Sequence, residues 1–460
     1  MKLFFSSILT LAFLTISSQG ITQQWEVVGL KGFNIARAEY TNIAFDPSSS
    51  TPYVAYQNDV DGTEIRKYDG SQWTMVGSEV GSFAIEQSLA FSRSSHKPYL
   101  AYQLGYSEPF NVKKFNGNQW VTVGNDSLST AGADGLSLAF PPSSDNPYVA
   151  FVDNAIGSCQ EGGATVKKFN GNQWVNVGSQ GFSDSCATEL SLAFSPSGTP
   201  YIAYKDIGNG GKATVKKFDG NQWTTVGTDS FSAGSIYRLN LAFNPSSGNP
   251  YLAYEDYSPS AGSSVKKFDG NQWVTVGNGA LPIGGARSIA FSSANTPYVA
   301  IEEGGASMLK YTGTEWDTVG LRKFSDGGVE DISLAIPSNS NTPYVAYRDQ
   351  ANSKRATVMK YGQSTSVKNR AKFSRNYLKV TPNPFEGVTQ VNYDFEETDP
   401  LTITILTIGG KKLRSITKNP PPNGKDHFRL NLTELSSGIY LYRAKTENFL
   451  QTGKLIVRNK

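Results

Sequence analysis

Short runs of alternating apolar and polar residues, broken every few positions by Asn-Gly or Asp-Gly, fill the first three quarters of the chain. The clearest case is residues 112–124, Val-Lys-Lys-Phe-Asn-Gly-Asn-Gln-Trp-Val-Thr-Val-Gly, which returns almost unchanged at 166–178, 215–227 and 265–277 and more loosely at 65–77 and 309–320. A period of two between turn signals predicts β-hairpins. The Asn-Gly step predicts the tight turn in which both central residues have φ > 0. Recurrence about every 50 residues predicts a repeat architecture.

Four strand patterns recur in constant order. The first is an inner strand, at 42–45, 88–91, 137–140, 191–194, 240–243, 288–291 and 333–336. The second is Pro-Tyr-Val-Ala-Tyr and variants, beginning at Pro52, Pro98, Pro147, Pro200, Pro250, Pro297 and Pro343. The third ends at Tyr68, Phe115, Phe169, Phe218, Phe268, Tyr311 and Tyr361, and the fourth is Trp-x-x-Val-Gly, starting at Trp25, Trp73, Trp120, Trp174, Trp223, Trp273 and Trp316. Each pattern occurs seven times, yet Trp25 precedes every inner strand and the third strand ending at Tyr361 has no Trp after it. The phase mismatch predicts that residues 24–29 supply the fourth strand of the seventh unit. The fold class is therefore all-β: a seven-bladed β-propeller over residues 22–362, its ring closed by the N-terminal strand.

Propeller topology sorts the connections onto two faces. Links between strands one and two and between three and four lie on one face, and here they are nearly identical from blade to blade. The other face carries segments such as 57–64, 103–111, 152–165, 228–238 and 255–264, which share neither length nor composition. Variable loops on a rigid frame are where binding usually resides. Cys159 and Cys186 fall on this face, and one disulfide between them is expected in an oxidising compartment.

The first twenty residues read as an export signal, with Lys2, an apolar run over 3–16 and small residues at 18–20. No later stretch approaches eighteen consecutive apolar residues, so no helical membrane span is expected. A net charge of +3, spread evenly, argues against a nucleic-acid partner.

Residues 363–376 lose the pattern and read as a linker, and 377–460 form a further region of alternating strands with no helical period, a small Ig-like β-sandwich. Its motifs are Leu-Lys-Val-Thr-Pro-Asn-Pro-Phe at 378–385, Ile-Gly-Gly-Lys-Lys-Leu at 408–413, Leu-Thr-Glu-Leu-Ser-Ser-Gly-Ile-Tyr at 432–440 and Thr-Gly-Lys-Leu-Ile-Val at 452–457. In this order they resemble the C-terminal sorting domain (type A) of proteins exported by the type IX secretion system of Bacteroidota. The resemblance implies the secretion machinery as a partner, passage across the outer membrane and usually removal of the domain, leaving a secreted or surface-displayed cargo. The propeller has neither the Trp-Asp ending of WD repeats nor the Ser-x-Asp-x-Gly-x-Thr-Trp box of sialidases, and resembles no named family closely.

Candidate chemistry is narrow. The two histidines, His96 in a constant-face loop and His427 in the C-terminal region, leave none for the variable face, which excludes a His-ligated zinc or a Ser-His-Asp triad there. Acids stand two residues past the second strand at Asp153, Asp206, Asp256, Glu303 and Asp349, with Asn58 and Leu104 breaking the series; hydrogen bonding to their own loops is the first reading, with ion, sugar or catalytic roles behind it. Residues 58–62 give a faint calcium cue and lack the flanking acids of a full loop. No cofactor or metal is expected. Arg238, Arg287 and Arg348, from blades five to seven, lie near the axis with Tyr237 beside them, facing Glu39, Glu86, Asp134 and Glu189 from blades one to four. They would form a polarised mouth for an anionic group by bidentate pairing, or else pair with those acids. The alternation places Arg238 and Arg287 one residue out of register, on opposite sides of their strands. The repeated Trp is read as packing between blades.

The expectation is an exported binding module for a polysaccharide or surface protein ligand, through Arg238, Arg287, Arg348, Tyr237, Glu189, Asp206 and Asp256. The alternatives are a carboxylate-dependent polysaccharide-degrading enzyme and a structural or adhesion surface protein.

Overall fold

The computed structural model describes residues 23–363 and 377–458, apart from 61, 82–83, 106–107, 125–126, 130–131, 156–161, 259–261, 395–399, 409–410, 420–424 and 446–449. The expected export signal, nearly all of the expected linker, and Cys159 lie outside the described residues. The chain divides into two compact units, Met1–Ser364 and Thr365–Lys460. No helix among the described residues is long and apolar enough to cross a membrane.

In the first unit the strands form seven antiparallel sheets of four, six of them consecutive in sequence. The seventh joins the two ends of the array: Gln23–Val27 pairs with Arg355–Gln363, Trp25 opposite Tyr361. Closure leaves the blades a ring, as the phase of the repeats requires, and removes the open edge that Arg355–Gln363 would otherwise present.

Two sets of hydrogen bonds tie blade to blade. On the outside, every Trp indole N–H donates to the Val carbonyl of the preceding Trp-x-x-Val at 2.6–2.8 Å, for example Trp174 to Val123 and Trp223 to Val177. The glycine after that Val has positive φ, and a Cβ on Gly124 would stand 2.9 Å from Trp174 Cδ1, so only glycine lets the next indole seat. Inside, the Ser or Asn that begins six of the seven inner-strand motifs accepts a main-chain N–H from the following blade: Asn42 from Leu89, Ser88 from Leu138, Ser137 from Leu192, Ser191 from Leu241, Asn240 from Ile289 and Ser333 from Ile43. Between these rings, apolar residues from facing sheets make one core per blade interface; Ile202, Tyr204, Leu192 and Trp223 pack with Ala150 and Val166 of the preceding blade.

The repeated hairpin departs from the sequence expectation. Phe115 pairs with Trp120, so four residues form the loop, and of the Asn-Gly pair only Gly117 takes positive φ, at 110°. Asn116 instead spends its side chain, Oδ1 accepting from the N–H groups of Asn118 and Gln119; Asp69, Asn170, Asp219 and Asp269 do the same in their own blades. An Asx side chain that satisfies two loop amides makes the wider loop the better one.

The second unit has a three-stranded sheet, Tyr377–Thr381, Val388–Asp394 and Lys425–Asn431, and a four-stranded sheet, Lys412–Lys418, Leu401–Thr407, Gly438–Lys445 and Leu450–Val457. One core built from both sheets, with Leu378, Val391, Ile403, Leu430 and Leu455, makes it a small β-sandwich.

Candidate functional site

The seven inner strands surround an axial channel holding a cavity of about 380 Å³. Its upper end, on the variable face, is shaped by β-bulges. In blades one, three, four, five and seven the inner strand carries one extra residue before the repeated Ser or Asn, so that two residues, 40–41, 135–136, 189–190, 238–239 and 331–332, face one on the second strand. The first of each pair is left-handed: Tyr40 (φ 54°), Gly135 (65°), Glu189 (46°), Arg238 (56°) and Asp331 (53°). Four of these are not glycine, a conformation that costs ~1–2 kcal/mol apiece. The bulge puts these five residues on the channel wall, a re-aiming for which bulges are used.

Carboxylates across blade interfaces hold the bulges in place. Asp331 accepts from the Tyr40 N–H at 2.8 Å, Glu86 from the Leu136 N–H at 2.8 Å, and Glu189 from the Arg238 N–H. Burial in the channel wall raises the pKa of all three acids above the ordinary carboxylate range, and these amide bonds only partly offset it.

Above them lies a tier from the sixth position of the second-strand motif: Gln57, Gln103, Val152, Lys205, Glu255, Glu302 and Arg348. Here the arginines meet their partners. Glu255 sits between Arg238 Nη1 (3.0 Å) and Arg287 Nη1 (3.2 Å), and Arg287 Nε reaches Glu302 at 2.8 Å. Arg348 bonds Glu330 at 2.5 Å and lies 3.7 Å from Glu39, which also takes Arg37 at 2.8 Å. The register argument that set Arg238 and Arg287 on opposite sides does not hold. Both lie within their inner strands, Ile236–Phe243 and Ala286–Phe291, and each falls at its strand's bulge, where the period-two alternation is interrupted, so both reach Glu255.

The remaining expected residues divide. Tyr237 stands exposed at the rim, whereas Arg348 is buried among its acids. Asp206 and Asp256 are away from the mouth: each ends its second strand, buried under a loop. Asp206 accepts from Ser185 and from Asn209 at 2.8 Å, and Asp256 from the N–H groups of Ala233 and Gly234 at 3.1 and 3.0 Å. Asp153 and Asp349 are spent similarly on their own loops, and Glu303 on Arg322 and Ser307. At the calcium cue, Asn58 Oδ1 accepts from the Val60 N–H and Asp59 from the Arg37 N–H; Asp61 lies outside the described residues. Among the described residues no three His, Cys, Asp or Glu side chains are grouped to hold a metal ion. Cys186 is buried, and its expected partner Cys159 lies outside the described residues.

Two residues the sequence reading passed over belong to the site. Lys205 is 7% exposed, and its ammonium sits 3.5 Å over the centre of the Tyr237 ring. Tyr257, 65% exposed, meets the same ring edge to face with centroids 4.7 Å apart. Lys205 was legible, since it shares the motif position of Arg348; Tyr257 carried no signal beyond lying in a variable loop.

Several solved structures are similar to the chain. PorZ, an essential surface component of the type IX secretion system of Porphyromonas gingivalis, aligns with 91% of this chain and 59% of its own at 12% identity and a TM-score of 0.46. The extracellular domain of the hybrid two-component system BT3049 from B. thetaiotaomicron aligns with 95% of this chain and 57% of its own at 9% identity and a TM-score of 0.47. A mutant of the Aleuria aurantia lectin AAL, in complex with Fucα1-6GlcNAc, aligns with 62% of this chain and 96% of its own at 15% identity and a TM-score of 0.41. The chain thus spans under two thirds of the PorZ and BT3049 chains. No protein of curated function matches it. Residues 379–458 match the family model of the secretion system C-terminal sorting domain. That region is a type IX sorting domain, and the protein that carries it is secreted or displayed at the cell surface.

Proposed function

We propose that the propeller is the exported cargo's ligand-binding module, that its ligand is a glycan, and that the glycan is held on the variable face around the mouth of the axial channel. The observation that carries this reading is where the exposed aromatics fall. Among the described propeller residues the exposed aromatic rings are Tyr40, on the channel wall in blade one, Tyr237, next to the channel-lining Arg238 on the inner strand of blade five, and Tyr257, in the adjoining loop of that blade. Exposed rings in a wall of hydrogen-bonding groups suit sugar, which has apolar faces and a hydroxyl edge. The repeated tryptophans do not compete for this role, because every indole N–H is spent on the preceding blade.

The expectation of an anionic ligand is weakened by the pairing of the arginines. Cleavage is the second reading, favoured by one observation: Glu189 is a channel carboxylate with a raised pKa, as a general acid requires. An export signal at 1–20, a linker at 363–376 and a Cys159–Cys186 disulfide complete the proposal.

Incubating the full exported chain with a panel of insoluble and soluble polysaccharides tests both readings. Retention without new reducing or unsaturated ends is expected. Product release would establish the enzyme reading instead, and neither retention nor product would leave a structural or adhesion role.

A further inference from the structure

Blade five differs from its six sisters at two positions of the variable face. The residue just before the inner-strand bulge is Glu39, Asp134, Thr188, Ala286 or Glu330 elsewhere, with Glu86 in blade two, which has no bulge, and Tyr237 here; the residue after the seventh position of the second-strand motif is Asp59, Gly105, Asn154, Ile207, Gly304 or Gln350 elsewhere, and Tyr257 here. Only in this blade do the two positions make an aromatic pair. Neither ring serves the core: Tyr237 is 40% exposed and Tyr257 65%.

The pair is nevertheless fixed. Tyr237 sits in a strand pair opposite Glu255, and the Lys205 ammonium, itself buried, supports its ring from blade four. The Lys205 ammonium makes no hydrogen bond or ion pair to any described residue, so the ring is its partner in a desolvated cation–π contact. The main-chain N–H of Tyr257 donates to Ser235 O at 2.9 Å, which ties the loop to the blade. A rigid ring binds at little cost in conformational freedom.

Polar groups lie beside it. Arg238 is half exposed and gives one nitrogen to Glu255, leaving N–H groups without a partner among the described residues. Lys205, Arg238 and Arg287 are outnumbered by Glu189, Glu255, Glu302 and Asp256, which adjoins Tyr257, so the rings offer an anion no excess positive charge. A donor and acceptor edge of that kind fits alcohol hydroxyls better than an anion.

We infer that Tyr237, Tyr257 and Arg238 form a subsite in blade five for one neutral pyranose ring, stacked on Tyr257 with its hydroxyls toward Arg238 and Glu255. This rests on the glycan reading above and narrows it to a substrate class and a place.

The test is calorimetric titration of the exported chain, wild type and variants, with neutral oligosaccharides (cello-, xylo-, manno- and β-1,3-gluco-hexaose) and with oligogalacturonate as the acidic control. Wild type should bind at least one neutral hexaose and discriminate against the uronate. Tyr257→Ala should weaken binding tenfold or more at unchanged melting temperature, and Tyr257→Phe, which keeps the ring, should bind within about threefold of wild type. Equal binding by wild type and Tyr257→Ala overturns the subsite and leaves the glycan reading intact, as does a preference for oligogalacturonate. Binding to neither class overturns both.

Discussion

The indole N–H of Trp25 donates to the carbonyl of Val319 at 2.8 Å, across 294 positions of sequence. The same bond joins each adjacent pair of blades, but only here does it close the ring, and the Trp25 ring stacks on Phe324 with centroids 3.7 Å apart. Strand Gln23–Val27 is retained by its ladder to Arg355–Gln363 and by Trp25 and Val27, which pack against the core of this blade interface.

Trp25→Ala removes the stack and the bond together and should cost about 3 kcal/mol. Trp25→Phe keeps a ring over Phe324 and leaves the Val319 carbonyl without its donor, a loss of about 1 kcal/mol. Urea midpoints of the two variants check the order. A Trp25→Ala midpoint equal to wild type would mean that the seam does not contribute to cooperative folding.

Around the axis, the half-buried Ser137 Oγ accepts the N–H of the buried Leu192 at 3.0 Å. Ser137→Ala orphans that amide and should cost about 1–2 kcal/mol. Ser137→Asn should stay within about 0.5 kcal/mol of wild type, because Asn42 and Asn240 make the same bond in blades one and five and sites this far apart behave independently. Chemical denaturation distinguishes the two.

The blades were legible because the repeats are nearly identical, so turns and strand order could be counted, and the misplaced Trp25 disclosed the closure. What escaped reading was set by local geometry that alternation does not encode. Asn116 captures two loop amides and widens a turn that its Asn-Gly spelling assigns to a tighter class. Bulges that interrupt the alternation in both strands bring Arg238 and Arg287 to a common Glu255 although their spacing sets them apart. Lys205 and Arg348 occupy one motif position, yet only the arginine looked functional, since a lysine under a tyrosine ring is a tertiary fact.

Cys186 is buried on the variable face, and Cys159 is the other cysteine of the chain. A bridge between them would close a loop of 26 intervening residues and restrict the unfolded chain by about 3.5 kcal/mol in the loop-entropy account. Alkylation of the exported protein in denaturant should therefore label no thiol before reduction and two after it, and reduction should lower the melting temperature. Two thiols labelled without reductant would refute the pairing.

Burial lifts the folded-state pKa of Glu86, Glu189 and Asp331 above the value each acid has in the unfolded chain. Between the two values the native state binds more protons than the unfolded state, so these groups lower stability progressively as pH rises through the interval, and below the ordinary carboxylate range the penalty is gone. Asp145 runs the other way: although its partial burial opposes the shift, bonds from the Ser94 and Ser95 loop bring its pKa to about 2, so its contribution is lost only as pH falls toward that value. A wild-type curve mixes both kinds of acid, and a difference curve separates them. Glu86→Gln keeps an oxygen to accept the Leu136 N–H and cannot ionise, so its melting temperature should match wild type near pH 4 and exceed it at pH 7. A variant less stable than wild type at pH 7 by the same margin as at pH 4 would show that the amide bond, and not the buried charge, governs this wall of the channel.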